Sequence, residues 1–223
     1  MTLKLNGSSS GSVSIDAPAS TTGGADRTLT LPDDASNGVI KTSTYPSSIQ
    51  VLEQFFTPCD GSTIATSAGN LTVPNVTAYQ DTGESWADLT GSPITYTPPT
   101  GATQVIYSFD FHVLAFDTTG FAHFKLLIGG TEVTDSRRNW YDPNGGGGGR
   151  SLYYSWGFNI GGTANAATGR QATWTSGKEI KWQIRDYSSS HDTMPHRINY
   201  WEGADATDFA VKPCVGITAI GAA

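Results

Sequence analysis

The sequence predicts an all-β protein, with an extended N-terminal arm followed by a jelly-roll β-sandwich head. Only 15% of the residues are charged, too few to cover the solvent faces of long amphipathic helices. Six Trp, nine Tyr and nine Phe can build a hydrophobic core, so the composition is not that of a disordered chain. Glycines and prolines separate short stretches of alternating polarity, which is typical of strands joined by turns.

Residues 1–48 form the predicted arm. Tyr45 is the single aromatic residue in this stretch, and the apolar alternation is confined to two short pieces, around Val13 and Ile15 and around Leu29 and Leu31. So little apolar area cannot offset the chain entropy of ordering about fifty residues. We therefore expect the arm to be extended, and to become ordered only against another chain.

Residues 49–78 form a predicted β connector. The stretch 49–56 is predicted to be a strand, and 70–73 is a second short strand after the Ala68-Gly69 turn. The turn residues at 58–61 separate the two strands.

Residues 79–223 form the predicted distal head. In its strongest strand, 105–116, large apolar residues recur at every second position, so they share one face. The Gly129-Gly130 pair predicts a tight hairpin, because glycine adopts the positive φ that such turns require. About eight antiparallel strands over this length favour a jelly roll. The further predicted strands cover residues 121–128, 131–134, 152–160, 170–175, 179–186, 196–201 and 215–220.

Apolar residues also occur on the second face of the strongest strand, at Ile106 and Leu114. A two-sheet sandwich buries one face of each sheet, so a second apolar face needs another cover. Closed threefold association would supply it. The head is therefore expected to be a homotrimer.

Charge and hydropathy exclude several partners. The net charge is −7 with thirteen scattered basic residues, which predicts no binding to nucleic acid. The longest apolar run, 113–116, is too short for membrane insertion. The first residues lack the apolar stretch of a signal peptide, so we expect synthesis in a cytoplasm without export by that route. Cys59 and Cys214 are expected to be free thiols, with pairing left open.

No catalytic, cofactor or metal site is predicted. Asp110 and His112 share a strand face and are interpreted as polar residues on its wetter side. His191 and His196 lie five residues apart with no second cluster to complete a metal site. His123 alternates with its apolar and charged neighbours and is interpreted as structural.

Residues 139–150 are predicted to form a loop, because they contain five consecutive glycines. Aromatic and polar side chains flank these glycines, and such sets suit sugars: the rings stack while the polar groups bind hydroxyls. An alternative is that the aromatic residues pack into the head or a neighbouring subunit. The candidate glycan contacts are Trp140, Tyr141, Asp142, Asn144 and Arg150.

Three stretches carry a family resemblance. Residues 5–20 with 23–32, residues 51–61, and residues 94–109 with 124–133 resemble segments of virion structural proteins from tailed phages of marine bacteria and cyanobacteria. The resemblance implies a short, homotrimeric, fibre-like appendage located in the virion and made in the host cytoplasm. Its arm would attach to other virion proteins, and its head is a candidate for contact with a host-surface glycan. Two alternatives remain open: a capsid decoration or cement protein, and a glycan-binding, lectin-like module. The candidate attachment residues are Val13, Ile15, Leu29 and Leu31.

Overall fold

The computed structural model describes residues 2–6, 12–16, 50–116, 119–143, 149–201 and 204–221. For residues 2–6, 12–16, 199–201 and 204–210 it describes the backbone course alone. The described residues form strands, turns and irregular segments and contain no helix, so the protein is all-β. None of them forms a helix that could cross a membrane.

The chain divides into two compact units, Met1–Pro46 and Ser47–Ala223. In the first, an antiparallel hairpin pairs β1 (Thr2–Asn6) with β2 (Ser12–Asp16). Val13 is in register with Leu5, and Ile15 with Leu3, so the predicted apolar alternation of this piece lies on a strand. Leu29 and Leu31 lie outside the described residues.

One sheet of the second unit, called here the β8 sheet, is built around its longest strand. That strand, β8, pairs on one side with β11 and on the other with β16 and β13, and β16 pairs in turn with β3. All of these pairs are antiparallel. The strand bounds are β3 (Gln50–Pro58), β8 (Ala102–Ala115), β11 (Gly149–Asn159), β13 (Thr193–Pro195) and β16 (Cys214–Gly221).

The opposing sheet, called here the β9 sheet, has the order β10-β9-β12-β6, with β7 also paired to β12. Gly129 and Gly130 join β9 to β10 with φ of +55° and +78°, which confirms the predicted hairpin turn. The strand bounds are β6 (Ala87–Asp88), β7 (Ile94–Tyr96), β9 (Gly120–Ile128), β10 (Thr131–Asp142) and β12 (Lys178–Asp186).

Two smaller antiparallel hairpins complete the described secondary structure. Their strands are β4 (Thr63–Thr66), β5 (Gly69–Thr72), β14 (Arg197–Trp201) and β15 (Ala204–Ala210).

The core lies between the two sheets and is aromatic. Phe111 of β8 contacts Phe124 of β9 with ring centroids 5.8 Å apart, and Tyr154 of β11 contacts Trp182 of β12 at 5.1 Å. The predicted inward face of β8 is confirmed, because its alternate residues are at most 2% exposed. These residues are Val105, Tyr107, Phe109, Phe111 and Val113.

The stretch 49–78, interpreted from sequence as a connector, supplies part of this same unit. Its strand β3 is hydrogen-bonded along β16. Cys59, Leu71 and Val73 belong to the core cluster that also holds the β8 and β9 side chains. This stretch therefore forms one edge strand of the β8 sheet and contributes side chains to the core.

Two sequence predictions of local structure are wrong. Residues 170–175 form no strand, because Arg170 and Gln171 make only isolated bridges and Trp174 caps the core from a loop, donating its indole N–H to Tyr96 O at 3.0 Å. The predicted loop 139–150 is also shorter than expected. β10 continues to Asp142, because Trp140 and Asp142 alternate inward, and β11 begins at Gly149.

The two cysteines are free thiols. Cys59 lies in the core and its thiol contacts Gly91 O at 3.3 Å, whereas Cys214 lies in register with Asp110 on β8. Burial raises the pKa of the Cys59 thiol to about 12, so this thiol stays protonated and unreactive at neutral pH.

The structure removes one of the observations from which a trimer was expected. Leu114 is 1% exposed within the single chain, where Met194 of β13 lies beside it in register. Leu114 therefore needs no second subunit to cover it. Ile106, on the same outer face, is half-buried.

Candidate functional site

The outer face of β9 is unusually rich in large side chains. The strand alternates strictly, with Ala122, Phe124 and Leu126 buried inward and Phe121, His123 and Lys125 half-buried on the outside. An outward strand face in a two-sheet domain is normally polar and solvated. We call this surface, with the neighbouring side chains of β10 and β12, the β9 outer face.

An aromatic cluster occupies one end of the β9 outer face. Phe121 stacks on Tyr187 with ring centroids 4.9 Å apart and planes at 22°, and Tyr141 meets Phe121 edge-on at 5.3 Å. Tyr141 and Tyr187 are 55% and 54% exposed. Phe121 thus serves as a half-buried base that holds two tyrosine rings in fixed orientations at the surface.

Two histidines complete this cluster. The His123 ring lies 5.8 Å from that of Tyr187, and the His191 ring lies 5.7 Å from it on a different segment. His191 Nδ1 is 3.0 Å from the hydroxyl of Ser188. The segment after β12 is therefore held against β9 by ring contacts, and the tyrosines do not depend on a free loop for their position.

Trp86 lies over the middle of the β9 outer face. It directly precedes β6, so the pairing of β6 with β12 fixes its backbone. Lys125 Nζ is 4.3 Å from the centroid of the Trp86 ring, and Arg185 Cζ is 5.3 Å from it. Both distances are those of cation–π contacts. The ring is nevertheless 38% exposed.

A pocket of about 340 Å³ opens beside Trp86, lined by His123 and Phe124 of β9 and by residues Arg137, Arg138 and Asn139 of β10. The guanidinium of Arg138 turns to the inward side, where it lies 5.8 Å from the ring centroid of Trp156. An irregularity in β10 shapes this wall, because the register with β9 shifts between Val133 and Arg138. The Ser136 hydroxyl fills the gap by accepting a hydrogen bond from Leu126 N at 3.0 Å and donating one to Val133 O at 2.6 Å.

The cations beside the pocket outnumber the carboxylates that contact them. Arg137 Nε donates to Glu132 at 2.7 Å, and Lys125 Nζ is 3.9 Å from the same carboxylate. Arg185 has no carboxylate within 4.0 Å among the residues whose side chains are described. The result is a local excess of positive charge on a chain whose net charge is −7.

This positive charge acts on His123. Burial and the neighbouring Arg185 guanidinium, with Nη2 3.5 Å from His123 Nδ1, lower the pKa of His123 below its usual value. The imidazole is therefore mostly neutral at pH 7, where it offers an aromatic face and a hydrogen-bonding nitrogen.

The structure places the residues predicted from sequence as glycan contacts in different parts of the fold. Tyr141 is exposed and belongs to the aromatic cluster. Trp140 and Asp142 are each 6% exposed. Trp140 packs into the core, which was the alternative interpretation. Arg150 is exposed but lies on β11, in the other sheet. Asn144 lies outside the described residues.

Sequence reasoning missed most of the β9 outer face. His123 was interpreted as structural, and Trp86, Tyr187 and Arg185 were not singled out. A signal was available: in 121–125 the bulky residues fall on both alternating sets, which requires large side chains on the outside of the sheet. Trp86 carried no such signal, since the pairing of β6 brings it there.

The described side chains contain no group of three or more His, Cys, Asp or Glu placed to hold a metal ion. What the β9 outer face offers is aromatic planes, hydrogen-bonding groups and positive charge. These groups can bind a sugar, since aromatic planes cover the apolar face of a ring while polar groups bond its substituents.

No protein-family model matches this chain, and no curated protein matches it. Among solved structures, the chain is similar to an exo-beta-agarase at 12% sequence identity and a TM-score of 0.25, over 76% of this chain. The match spans 23% of the agarase chain. A likeness of this size carries no argument about activity or ligand.

Proposed function

We propose that this protein is a virion structural protein of a tailed phage, a short fibre-like appendage that binds a glycan on the host surface. Its residues 1–48 attach it to other virion proteins, with Val13, Ile15, Leu29 and Leu31 as attachment contacts, and its sandwich unit carries the ligand-binding surface. The virion assignment rests on the resemblance of the N-terminal and distal segments to phage structural proteins. The binding assignment rests on the β9 outer face.

The stacked Phe121–Tyr187 pair, with Tyr141 beside it, is the observation that carries glycan binding. Two exposed tyrosine rings held by a half-buried phenylalanine form a pre-oriented platform, so little conformational entropy is lost when a sugar ring stacks on it. Aromatic side chains that serve only in packing within the chain are buried, whereas these two rings are more than half exposed.

A glycan array followed by calorimetry with a soluble oligosaccharide tests this function. The variant Tyr187→Ala should weaken binding at least tenfold. Tyr153→Ala is the matched control, because Tyr153 is 61% exposed on β11 of the other sheet and its loss should leave the affinity unchanged. Unchanged binding by Tyr187→Ala, or an equal loss in both variants, would contradict the assignment.

Cryo-electron microscopy of the intact virion tests the location. Density for this chain at the tail or as a projecting fibre supports the appendage. A regular lattice of it on the capsid shell would favour the capsid decoration or cement protein instead. Absence from the particle would leave the lectin-like module as the better description.

We further propose a jelly-roll topology and a homotrimeric head. The outer face of the β8 sheet supports association, because Phe56 and Val51 on β3 are 54% and 57% exposed and Ile106 on β8 is half-buried. Because β3 belongs to the sandwich, the test uses a protein that begins at Ser47. Light scattering should give three times the monomer mass, and a monomer at micromolar concentration would refute the trimer.

The proposed role is binding without catalysis. Incubation of the purified protein with capsular or extracellular polysaccharide should leave the chain length of the polymer unchanged. Depolymerisation would contradict this part of the proposal.

A further inference from the structure

Resting on the proposed glycan-binding function, we infer that the ligand of the β9 outer face is an acidic polysaccharide. One sugar ring stacks on one of the two exposed tyrosine rings of the platform, Tyr141 or Tyr187, and a carboxylate or sulfate of a neighbouring sugar enters the pocket beside Trp86. The inference concerns the chemical class of the ligand and is carried by the charges at this pocket.

The first argument is the charge balance of the pocket. Arg137 is on its wall, and Lys125 and Arg185 lie beside the Trp86 ring. Glu132 is shared between Lys125 and Arg137. A neutral sugar gives these cations no counter-charge, whereas one anionic substituent supplies it.

The second argument is the state of Arg185. Its side chain is half-buried, and its Nε is buried without a hydrogen-bond partner. Its guanidinium lies 5.3 Å from the centroid of the Trp86 ring and 3.5 Å from Nδ1 of the neutral His123 ring. A partly desolvated cation without an anionic partner costs free energy, and an arriving anion offsets that cost.

The third argument is continuity between the two parts of the surface. His123 contacts the Tyr187 ring at 5.8 Å and also lines the pocket. A single oligosaccharide can therefore reach both the platform and the cations. The pocket volume of about 340 Å³ is at the lower end of small-molecule sites, which suits one charged sugar residue.

Lys181 shows the contrast with a charge that is already compensated. It lies on the same strand as Arg185 but contacts Asp88 and Glu179, each at 2.9 Å. These partners raise the pKa of Lys181, and they leave it little attraction for a further anion. The uncompensated charge on β12 is thus that of Arg185 and not that of Lys181.

The test measures calorimetric affinities of the full chain for matched pairs of oligosaccharides. Oligogalacturonate is compared with its fully methyl-esterified form, and a sulfated galactan oligosaccharide with its desulfated form. Within at least one pair, the charged member should bind at least tenfold more tightly, and its affinity should fall as salt is raised. The pair that shows the preference identifies carboxylate or sulfate as the bound group.

Variants then locate the charge preference. Arg185→Gln should bring the ratio of the charged to the neutral affinity most of the way to one, and Arg185→Lys should retain the preference. Arg150→Gln, which removes an exposed positive charge from the other sheet, is the control for net charge. Equal affinity for charged and neutral members of both pairs, or an equal loss in Arg150→Gln and Arg185→Gln, overturns the inference.

These outcomes separate the two levels of the proposal. Binding of neutral oligosaccharides that is lost in Tyr187→Ala, with no preference for charge, leaves the glycan-binding function standing and refutes the acidic ligand. Binding of neither charged nor neutral glycans refutes the proposed function itself. Tight binding of vesicles or nucleic acid in place of any glycan would overturn both.

Discussion

The indole ring of Trp140 lies directly against the α-carbon of Gly120 on the adjacent strand. A methyl group at Gly120 would come within 2.7 Å of Trp140 Cη2 and 2.9 Å of Ala115 Cβ. This contact fixes the inward side of β10 at its end. Because side chains alternate along a strand, it also fixes Tyr141 outward, beside Phe121.

Gly120→Ala should therefore destabilise the sandwich by about 1–3 kcal/mol, since overpacking a filled core forces side chains and backbone to shift. Denaturant titration measures this change. Gly83→Ala is the control, because nothing lies within 4 Å of the added methyl group there, and it should change stability by less than about 0.5 kcal/mol. Equal stability of the two variants would show that Trp140 is free to move.

Stability should respond to acid through His196. This side chain is 0% exposed, its Nε2 donates to Thr90 O at 2.8 Å, and burial lowers its pKa to about 4. The imidazole of His196 becomes protonated near pH 6.5 in the unfolded chain but only near pH 4 in the folded chain. The stability that the neutral imidazole contributes is therefore complete above pH 6.5 and is lost as the pH falls between these values. The stabilisation lost is about 3 kcal/mol.

The comparison that isolates this effect is wild type against His196→Gln. The stability of wild type relative to the variant should fall between pH 7 and pH 4, as measured by urea titrations at each pH. A constant difference between wild type and His196→Gln would refute the assignment.

Asp186 should give a slope of the opposite sign. It is 1% exposed, and burial raises its pKa from 3.8 to about 7. The folded state holds this proton while the unfolded chain has already released it, so the associated stability is present at low pH and is lost as the pH rises towards 7. Relative to Asp186→Asn, wild type should therefore become less stable between pH 4 and pH 7 in the same urea titrations. The opposite slope would show that the carboxyl group is ionised in the fold.

Ligand binding should change the titration of His123. Burial and the Arg185 guanidinium lower its pKa. A bound carboxylate or sulfate stabilises the imidazolium, so saturation with the charged oligosaccharide should raise that pKa. Nuclear magnetic resonance of the histidine ring protons measures it. The neutral oligosaccharide is the control and should leave the pKa of His123 at its lower, ligand-free value. A pKa that falls with the charged ligand would contradict anion binding at this pocket.

Deletion of residues 1–48 should leave a folded sandwich that no longer joins particles. The cut precedes β3, which begins at Gln50, so the two sheets of the sandwich keep all of their described strands. Particles assembled with the truncated protein should lack it on immunoblots, while its thermal unfolding remains cooperative. Incorporation at the normal level would show that attachment lies elsewhere.

Most of the sandwich follows from periodicity in the sequence. The alternation of Ile180, Trp182 and Ile184 predicts an inward face on β12, and all three are at most 1% exposed. The extension of β10 to Asp142 escaped prediction because five glycines follow closely in the sequence. The predicted loop therefore included residues 139–142, which pairing with β9 orders as part of the strand. Local composition reports chain entropy, whereas pairing with β9 is decided by tertiary contacts.

The candidate surface was predictable only in part. Tyr141 was singled out, but for its place beside the glycines, whereas its contact is with Phe121, twenty residues earlier in the sequence. Tyr187, His191 and Trp86 come from segments that the sequence leaves irregular. Their convergence depends on which strands are neighbours, and single-sequence alternation does not specify strand order.

The pairing of β3 with β16 also determines how the sandwich responds to mechanical force. Tension transmitted along the chain from the preceding residues enters this unit at Gln50, and β3 is held to β16 by eight registered residue pairs, from Gln50–Gly221 to Pro58–Cys214. Hydrogen bonds in an antiparallel pair run perpendicular to the strands, so a pull along β3 strains all of them together in shear. Resistance to forced unfolding depends on the rate of unfolding rather than on equilibrium stability. Strand β3 should therefore resist a pull along its own axis more strongly than a pull that separates Gln50 from Gly221, which would peel the two strands apart from that end.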